Sequence, residues 1–466
     1  MKALGVAIVA ASFVFTSAAF GQVVSLNRAG SGARAAGMGN AFIAISDDGT
    51  AASWNPAGLS QLRKPEFSLV HAASRRDQFL EGYRGRDRST AFTDLKTTSN
   101  ASNIEFASAA LPFTLSGRPI TVQLGWRRLY QFSGGIRGDT RRVPITAEGR
   151  PEGTIRLDNM SDGSVDILGL AGSIRVTGRL SLGWSTDFYR GVWEDRANVS
   201  EDPGVLGPTD FVTNKSTNRI GDHSLSLGLL LAYPSVKVGI VYHKALRSGY
   251  DVTQHARSNL AESVDTSFSH EEGYHLRFPR SVGFGVAWVA RPLLRLALDL
   301  TYDEWKKFLV EVGPERLLSG FDELPPGLTT ARNTVTLNAG LERLFPVEGT
   351  YVPLRLGFSH EPQGGRDPLV RKDANQTVLA GGTGINSNSI KFDVALEYRW
   401  GSFQNTTNIS PVYMAGHDRA EELGLPVRPE AEGTTRIQEW RLKVSMIYRI
   451  ADTERIRDVL RKVFGS

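Results

Sequence analysis

Ser389 to Trp400 reads Ser-Ile-Lys-Phe-Asp-Val-Ala-Leu-Glu-Tyr-Arg-Trp. Ile390, Phe392, Val394, Leu396, Tyr398 and Trp400 fall on one parity, and Lys391, Asp393, Ala395, Glu397 and Arg399 on the other. Successive side chains of a strand face opposite sides. The segment is therefore a strand with one apolar face and one polar, charged or small face. Trp440, Leu442, Val444, Met446, Tyr448 and Ile450 repeat the pattern against Arg441, Lys443, Ser445 and Arg449. Leu294, Leu296, Leu298, Leu300 and Tyr302 do so against Arg295, Ala297, Asp299, Thr301 and Asp303.

A soluble sandwich also alternates, so length and strand ends decide. These strands run about 10 to 15 residues, longer than the globular mode, and a tilted membrane strand needs about 9 to 11. Trp126, Tyr130, Tyr233, Tyr242, Tyr302, Trp305, Tyr398, Trp400 and Tyr448 collect at strand ends, as in the aromatic girdles of outer-membrane barrels. Fourteen strands are expected, near 65–74, 102–112, 119–132, 163–176, 179–194, 221–233, 235–249, 280–290, 293–310, 332–345, 351–361, 376–386, 388–401 and 435–450. Gaps of about one to six residues alternate with gaps mostly of about 20 to 33, and such sorting places short turns on the periplasmic side of a barrel. The predicted fold is all-β: a 14-stranded antiparallel transmembrane β-barrel.

Composition agrees. The chain has 466 residues, 48 of them glycine, and 9% are aromatic. After the N-terminus no apolar run is long enough for a spanning helix. There is no cysteine, which excludes disulfides, thiolate metal sites and cysteine nucleophiles. A net charge of +5, with Arg and Lys dispersed among Asp and Glu, gives no basic face for nucleic acid. Residues 1–21 read as a signal peptide: Lys2, an apolar run from Ala3 to Phe15, and small residues Ala19 and Gly21 before the cleavage point. Residues 22–62 read as a plug, 63–450 as the barrel, and 451–466, with Ile456, Val459, Leu460 and Val463 on one side, as a helical tail. Charged loops at Arg75–Asp77, Arg84–Arg88 and Arg137–Arg142 are solvated outer loops or contacts for anionic lipopolysaccharide.

The stretch from Gly30 to Leu59 fits neither a strand nor a surface helix. It is rich in glycine and alanine, too small-sided to bury much area alone, and suited to packing inside a surrounding wall. Gly30, Gly32, Gly37 and Gly39 permit close backbone approach. Ser46-Asp47-Asp48-Gly49 lacks the spacing of a calcium loop and reads as a capping turn. Asn55-Pro56-Ala57 reads as a turn that delivers the chain to the first wall strand. Signals for catalysis are weak. The eight histidines show no metal-ligand spacing, and Ser359-His360-Glu361 sits on a strand where neighbours face opposite sides. No cofactor and no enzymatic activity are expected.

The run Gly37-Met38-Gly39-Asn40-Ala41-Phe42-Ile43-Ala44, then Asp47-Asp48, then Trp54-Asn55-Pro56-Ala57-Gly58-Leu59 resembles the hatch of the long-chain fatty acid outer-membrane transporter (FadL) family. Phe278 to Ala287, Leu296 to Phe308 and Leu354 to Pro362 resemble further segments of that family, in the same order. The resemblance implies an N-terminal hatch inside the lumen, gated around Gly37, Gly39, Asp47, Asp48, Asn55, Pro56 and Ala57. It implies passive uptake of a hydrophobic compound, a fatty acid or hydrocarbon, with sideways exit through a gap in the wall. Gly134-Gly135 is the candidate for the wall kink. Expected partners are that cargo, outer-membrane lipid and lipopolysaccharide, and the barrel-assembly machinery, for a monomeric barrel. The run Gly32-Ala33-Arg34-Ala35-Ala36-Gly37-Met38-Gly39 also resembles the start of barrel proteins that serve type IX secretion, so a structural or secretion partner without small-molecule cargo is the alternative.

Overall fold

The computed structural model describes residues 30–450 apart from 87, 148, 150, 203–208, 259–265, 313–315, 320–328, 349, 367–369, 371 and 408–430. The signal-peptide segment 1–21 and the tail 451–466 lie outside the described residues.

Fourteen antiparallel wall strands follow one another around a closed barrel. They are β1 (Glu66–Gly85), β2 (Leu95–Leu115), β3 (Arg118–Pro144), β4 (Gly153–Arg175), β5 (Leu180–Asp202) and β6 (Asp210–Ala232). Next come β7 (Val236–His243 and Leu246–Ser258), β8 (Thr266–Phe278 and Ser281–Arg291), β9 (Leu294–Asp303), β10 (Thr334–Val347) and β11 (Thr350–Arg366). The last are β12 (Asp373–Asn386), β13 (Ile390–Thr407) and β14 (Ala431–Arg449). The barrel closes where β1 pairs with β14, from Glu66↔Arg449 to Gly85↔Ala431. After β9 a small hairpin, Leu309–Val312 with Arg316–Ser319, docks on β8 through Arg277↔Leu309.

The alternation resolves as inside and outside. Ile390, Phe392 and Leu396 face out and are exposed, while Lys391, Asp393 and Glu397 face in and are buried. Phe67, Leu124, Leu168, Phe284, Leu356 and Trp440 continue the exposed apolar band around the wall. At about 25 cal/mol per Å² such a band is costly in water and favourable in lipid. The band belongs to a membrane-spanning barrel.

The strands outrun the sequence expectation on the side away from the short turns. β3 continues to Pro144 and β4 starts at Gly153, so most of the loop expected at 133–162 is strand. β5 and β6 likewise extend to Asp202 and from Asp210. Beyond the lipid the outward face turns polar, while Ile136, Ile155, Leu157 and Val199 pack inward in a buried apolar cluster. The apolar-outward pattern of a membrane strand therefore ends although the ladder of hydrogen bonds goes on. β9 is the reverse case. It stops at Asp303, not near 310, because Trp305 turns inward on a 3₁₀ turn (Trp305–Lys307). Tyr130 and Trp305 are therefore not girdle residues: both are buried in the lumen.

Residues 30–62 lie inside the barrel, almost all buried. Inward-facing wall glycines make the room. A Cβ on Gly183 would overlap Pro56 and Ala57, on Gly228 it would overlap Asn55, on Gly239 the Ile43 carbonyl, and on Gly357 the Gly39 backbone. Reciprocally, Gly39 has a φ of +61° and lies against the Phe358 backbone, where no side chain fits. Gly357→Leu is expected to displace this segment while leaving the barrel closed. Trypsin should then cleave after Arg34, which is 8% exposed in the folded chain. Resistance equal to that of the parent protein would show that the contact is dispensable.

Candidate functional site

The lumenal segment is held by three kinds of contact. The first is capping chemistry within the segment. The Asp48 carboxylate accepts from Thr50 N at 3.0 Å and Thr50 Oγ1 at 2.6 Å, fixing the turn before the 3₁₀ helix Ala51–Ser53. Asp48 thus closes a side-chain turn onto Thr50 and does not cap the helix, whose N-cap Thr50 makes no side-chain capping bond. Asn55 caps the 3₁₀ helix Pro56–Gln61: its Oδ1 accepts from Ala57 N at 3.1 Å, and Pro56 stands where no N–H is needed. Its Nδ2 donates to Ile43 O and to Leu229 O of β6, both at 3.1 Å. One buried amide thus joins two parts of the segment to the wall.

The second is a clasp of buried charges on β9–β13. Arg34 forks onto Glu342 of β10 with two bonds of 2.9 Å and reaches Asp47 at 2.5 Å. Glu342 is also bound by Arg355 at 2.8 Å and Arg295 at 3.2 Å. Arg355 continues to Asp393 at 2.8 Å, and Lys391 binds Asp48 at 2.7 Å. Burial alone would raise the Asp47 carboxyl, but Arg34, Lys237, Arg295 and Lys391 outweigh it and hold Asp47 well below the ordinary carboxylate range. The third is backbone capture: Asp299 of β9 accepts from Phe42 N at 2.6 Å and Ile43 N at 2.8 Å. On the opposite wall, Arg175 donates to Ser60 O at 2.7 Å and Gln123 to Gly49 O at 2.5 Å.

Farther from the short turns the lumen changes character. Tyr130 and Phe132 of β3, Trp193 of β5, Tyr250 of β7, Phe278 of β8, and Phe308 form one buried apolar cluster with their neighbours. Phe132 stacks on Trp193 at 4.9 Å, Trp193 on Tyr250 at 5.9 Å, and Phe278 lies 5.1 Å from Phe308. Tyr250 donates its hydroxyl to Asn218 at 2.6 Å. Across the barrel the inward faces of β1, β11, β13 and β14 carry Arg76, Glu361, Arg399, Glu439 and Arg441, buried or half-buried. A cavity of about 200 Å³ lies between, lined also by Asn40, Ile43 and Trp54 of the lumenal segment.

The wall is not continuous beside this cavity. β2 and β3 pair from Leu115↔Arg118 to Phe106↔Arg127 and no further. β2 continues with β1 to Leu80↔Leu95, and β3 with β4 to Arg142↔Gly153. The two lips meet again farther out, where Arg137 N donates to Thr97 Oγ1 and Thr93 N to Arg141 O, both at 2.9 Å, and where residues Thr90 to Phe92 pair with Arg142 to Pro144. Each lip carries a bulge where the ladder ends. The β1–β2 register skips Glu105, and the β3–β4 register skips Leu129. Ala101, Asn103 and Glu105 on one lip and Leu129, Tyr130 and Gln131 on the other line the cavity. Of the candidate kink residues, Gly134 has a φ of +118° beside Ser99, whereas Gly135 pairs regularly with Met160. The bulges, not the glycine pair, stand where the strands part.

Sequence reading missed Arg34, Glu342, Asp299 and the aromatic wall. Two signals existed. Arg34 is the one charge in an otherwise small-sided run, Gly30 to Ser46. At Leu129-Tyr130, Ile167-Leu168 and Phe188-Tyr189 two apolar residues stand side by side, so both faces are apolar and simple alternation fails. Ser359, buried, donates to Asn338 Oδ1 at 2.7 Å, and His360 lies on the other face.

No family model matches the sequence, and no curated protein matches it. Solved structures do. A Pseudomonas aeruginosa FadL homologue aligns over 94% of this chain and 99% of its own, with a TM-score of 0.61 and 14% identity. The chain has the FadL fold. The Ralstonia pickettii toluene transporter TbuX aligns over 91% of this chain and 99% of its own, with a TM-score of 0.56 and 14% identity. The P. putida toluene transporter TodX aligns over 91% and 100%, at 0.54 and 13%. TbuX and TodX are toluene transporters, and each neighbour aligns over nearly its whole length.

Arg34→Met should loosen the clasp selectively. Removing one partner of a buried ion pair costs about 3–5 kcal/mol. Amide exchange from Phe42 to Ser46 should then accelerate by two orders of magnitude or more, with β3–β6 unchanged. Unchanged exchange at Phe42–Ser46 would assign the hold to the glycine contacts alone.

Proposed function

We propose that this chain is an outer-membrane conduit for passive uptake of hydrophobic compounds, with residues 30–62 as its hatch and the interruption between β2 and β3 as a lateral exit. The observation that carries the reading is the position of Tyr130. It belongs to the buried aromatic cluster, lines the cavity above the lumenal segment, and stands on one lip of the wall gap. Aromatic surface, cavity and opening thus form one path. An apolar solute gains little from a water-filled pore. It gains from a surface that replaces water as it crosses the polar outer layer of the membrane and from an exit that returns it to lipid.

The polar side of the cavity supports the same reading. Arg399 is engaged by Glu361, and Arg76 by Glu439 at 3.0 Å, so these charges are already compensated and present no net demand on a neutral cargo. The neighbours add the cargo class: TbuX and TodX are toluene transporters, and CymD is a monoaromatic hydrocarbon channel. Stacked rings at Phe132, Trp193 and Tyr250 suit flat aromatic hydrocarbons as well as acyl chains. In this proposal Gly37, Gly39, Asn55, Pro56 and Ala57 seat the hatch against the wall, Asp47 and Asp48 lock it, and Gly134 shapes the far end of the opening.

The reading makes two measurable claims. Deletion of residues 30–59 should raise nonspecific conductance in a planar bilayer; equal conductance would remove the hatch from the proposal. The chain has no cysteine, so Asn103→Cys with Gln131→Cys, on opposite lips, offers one unique pair for a bis-maleimide bridge. Cells relying on this protein should take up labelled toluene or fatty acid before bridging and much less after it. Undiminished uptake would exclude the β2–β3 gap as the exit, and no uptake before bridging would favour a structural or secretion-partner role.

A further inference from the structure

The outward face of β7–β9 carries a second feature that transport does not use. On β8 the exposed apolar run Trp288, Phe284, Val282 ends and Arg280 follows. On β9 Leu298, Leu300 and Tyr302 give way to Glu304, Lys306 and Lys307. On β7 Ile240 and Tyr242 give way to Lys244 and Arg247. The switch lies some ten residues from the short turns. At about 3.3 Å per residue and a tilt near 40°, that is roughly the 25 Å height of an apolar band. The charges therefore begin at the outer rim of the hydrocarbon.

Their arrangement is layered. Arg247 binds Glu311 at 2.6 Å, and Arg277, its cross-strand partner, binds the same carboxylate. Arg280 and Lys307 bind Glu304 at 2.8 and 2.9 Å. The cations are outermost, with side chains 47–65% exposed, while Glu304 and Glu311 are only 13% and 10% exposed. Leu246, Leu276, Phe278 and Val310 point to the lumen, so Arg247, Arg277 and Glu311 belong to the lipid-side face. Not every ion pair on the collar is layered in this way: Arg156 with Asp139 is 72% against 48% exposed, and Arg141 with Glu152 is 62% against 53%. Arg75 and Lys96 over Asp77 repeat the layering, at 63% and 49% against 21%. Two other carboxylates share the face. Asp222 pairs with His223 at 3.1 Å, and Asp251 lies farther out on β7.

We propose that this patch, formed by Lys244, Arg247, Arg277, Arg280, Lys306 and Lys307, binds the phosphorylated headgroup of a glycolipid in the outer leaflet. The carboxylates beneath hold the guanidinium groups splayed at headgroup height, and the unsatisfied donors face outward to phosphate oxygens. Acyl chains of the same lipid lie against Val282, Phe284, Leu298 and Leu300 below. The proposal rests on placement in an outer membrane and not on any cargo, so it stands or falls independently of uptake.

The test uses the full-length mature protein in detergent, titrated by native mass spectrometry with bisphosphorylated lipid A and with the same lipid lacking both phosphates. Parent protein should hold the phosphorylated lipid far more tightly. Arg247→Gln/Arg280→Gln/Lys307→Gln should lose about fivefold in affinity per cation removed, on the order of a hundredfold in all. Arg137→Gln/Arg141→Gln/Arg156→Gln removes the same charge from another part of the collar and should lose less than about threefold. Equal losses in the two variants, or equal binding of the two lipids by the parent, would overturn the proposal. The comparison of lipids needs no variant and decides the matter even if the triple variant does not fold, which heat-modifiable electrophoretic mobility reports.

Discussion

A fourteen-stranded barrel encloses more space than its own inward side chains can fill. Everything else in this molecule answers that constraint. The lumen is stoppered by a segment that brings backbone, not side chains, to the wall, and the wall meets it with glycine at Gly183, Gly228, Gly239 and Gly357. Backbone that close needs partners for its polar groups. Asp299, Gln123, Arg175 and Asn55 supply them, and the Arg34–Glu342–Arg355 clasp fixes the register of the segment against β10 and β11.

Filling one half of the lumen in this way leaves the other half free for a different surface. On the side of the short turns the segment is held by buried ion pairs and by side chains that capture its backbone. Beyond them, β3 to β8 turn aromatic side chains inward, and the cavity lies at the boundary. The boundary is also where β2 and β3 part. Bulges at Glu105 and Leu129 end the ladder without ending either strand, because each strand remains paired on its other side. The opening is thus stable without a loop to span it, and the wall keeps its closure through β1 and β4.

The outside of the barrel shows the same economy of placement. Apolar residues stop where lipid stops, and on β7–β9 the first residues beyond that line are cations set above covered carboxylates. Breaks in β7 at Lys244-Ala245 and in β8 at Pro279-Arg280 fall at that level too, so chain direction and side-chain chemistry change together.

The strand count, the inside and outside of each membrane strand, and the small-sided nature of residues 30–59 were determined by the sequence alone. They are local periodic signals, set by the alternation of side chains across a strand and by the contrast between lipid and lumen. The Asn55-Pro56-Ala57 turn was legible for the same reason, since a cap and its helix are neighbours in the chain. What the tertiary structure decided is non-local. Arg34 meets Glu342 across 308 residues, and no spacing rule foretells that pair. Strand ends beyond the membrane were missed because no lipid faces them: their outward residues are polar, and their apolar residues, such as Ile155 and Leu157, turn inward. Tyr130 and Trp305 read as girdle residues because amphipathic rings suit an interface, but a wide lumen offers such rings a second apolar place. The parting of β2 from β3 depends on which partner each residue chooses across the sheet, a choice made by bulges that leave no periodic trace.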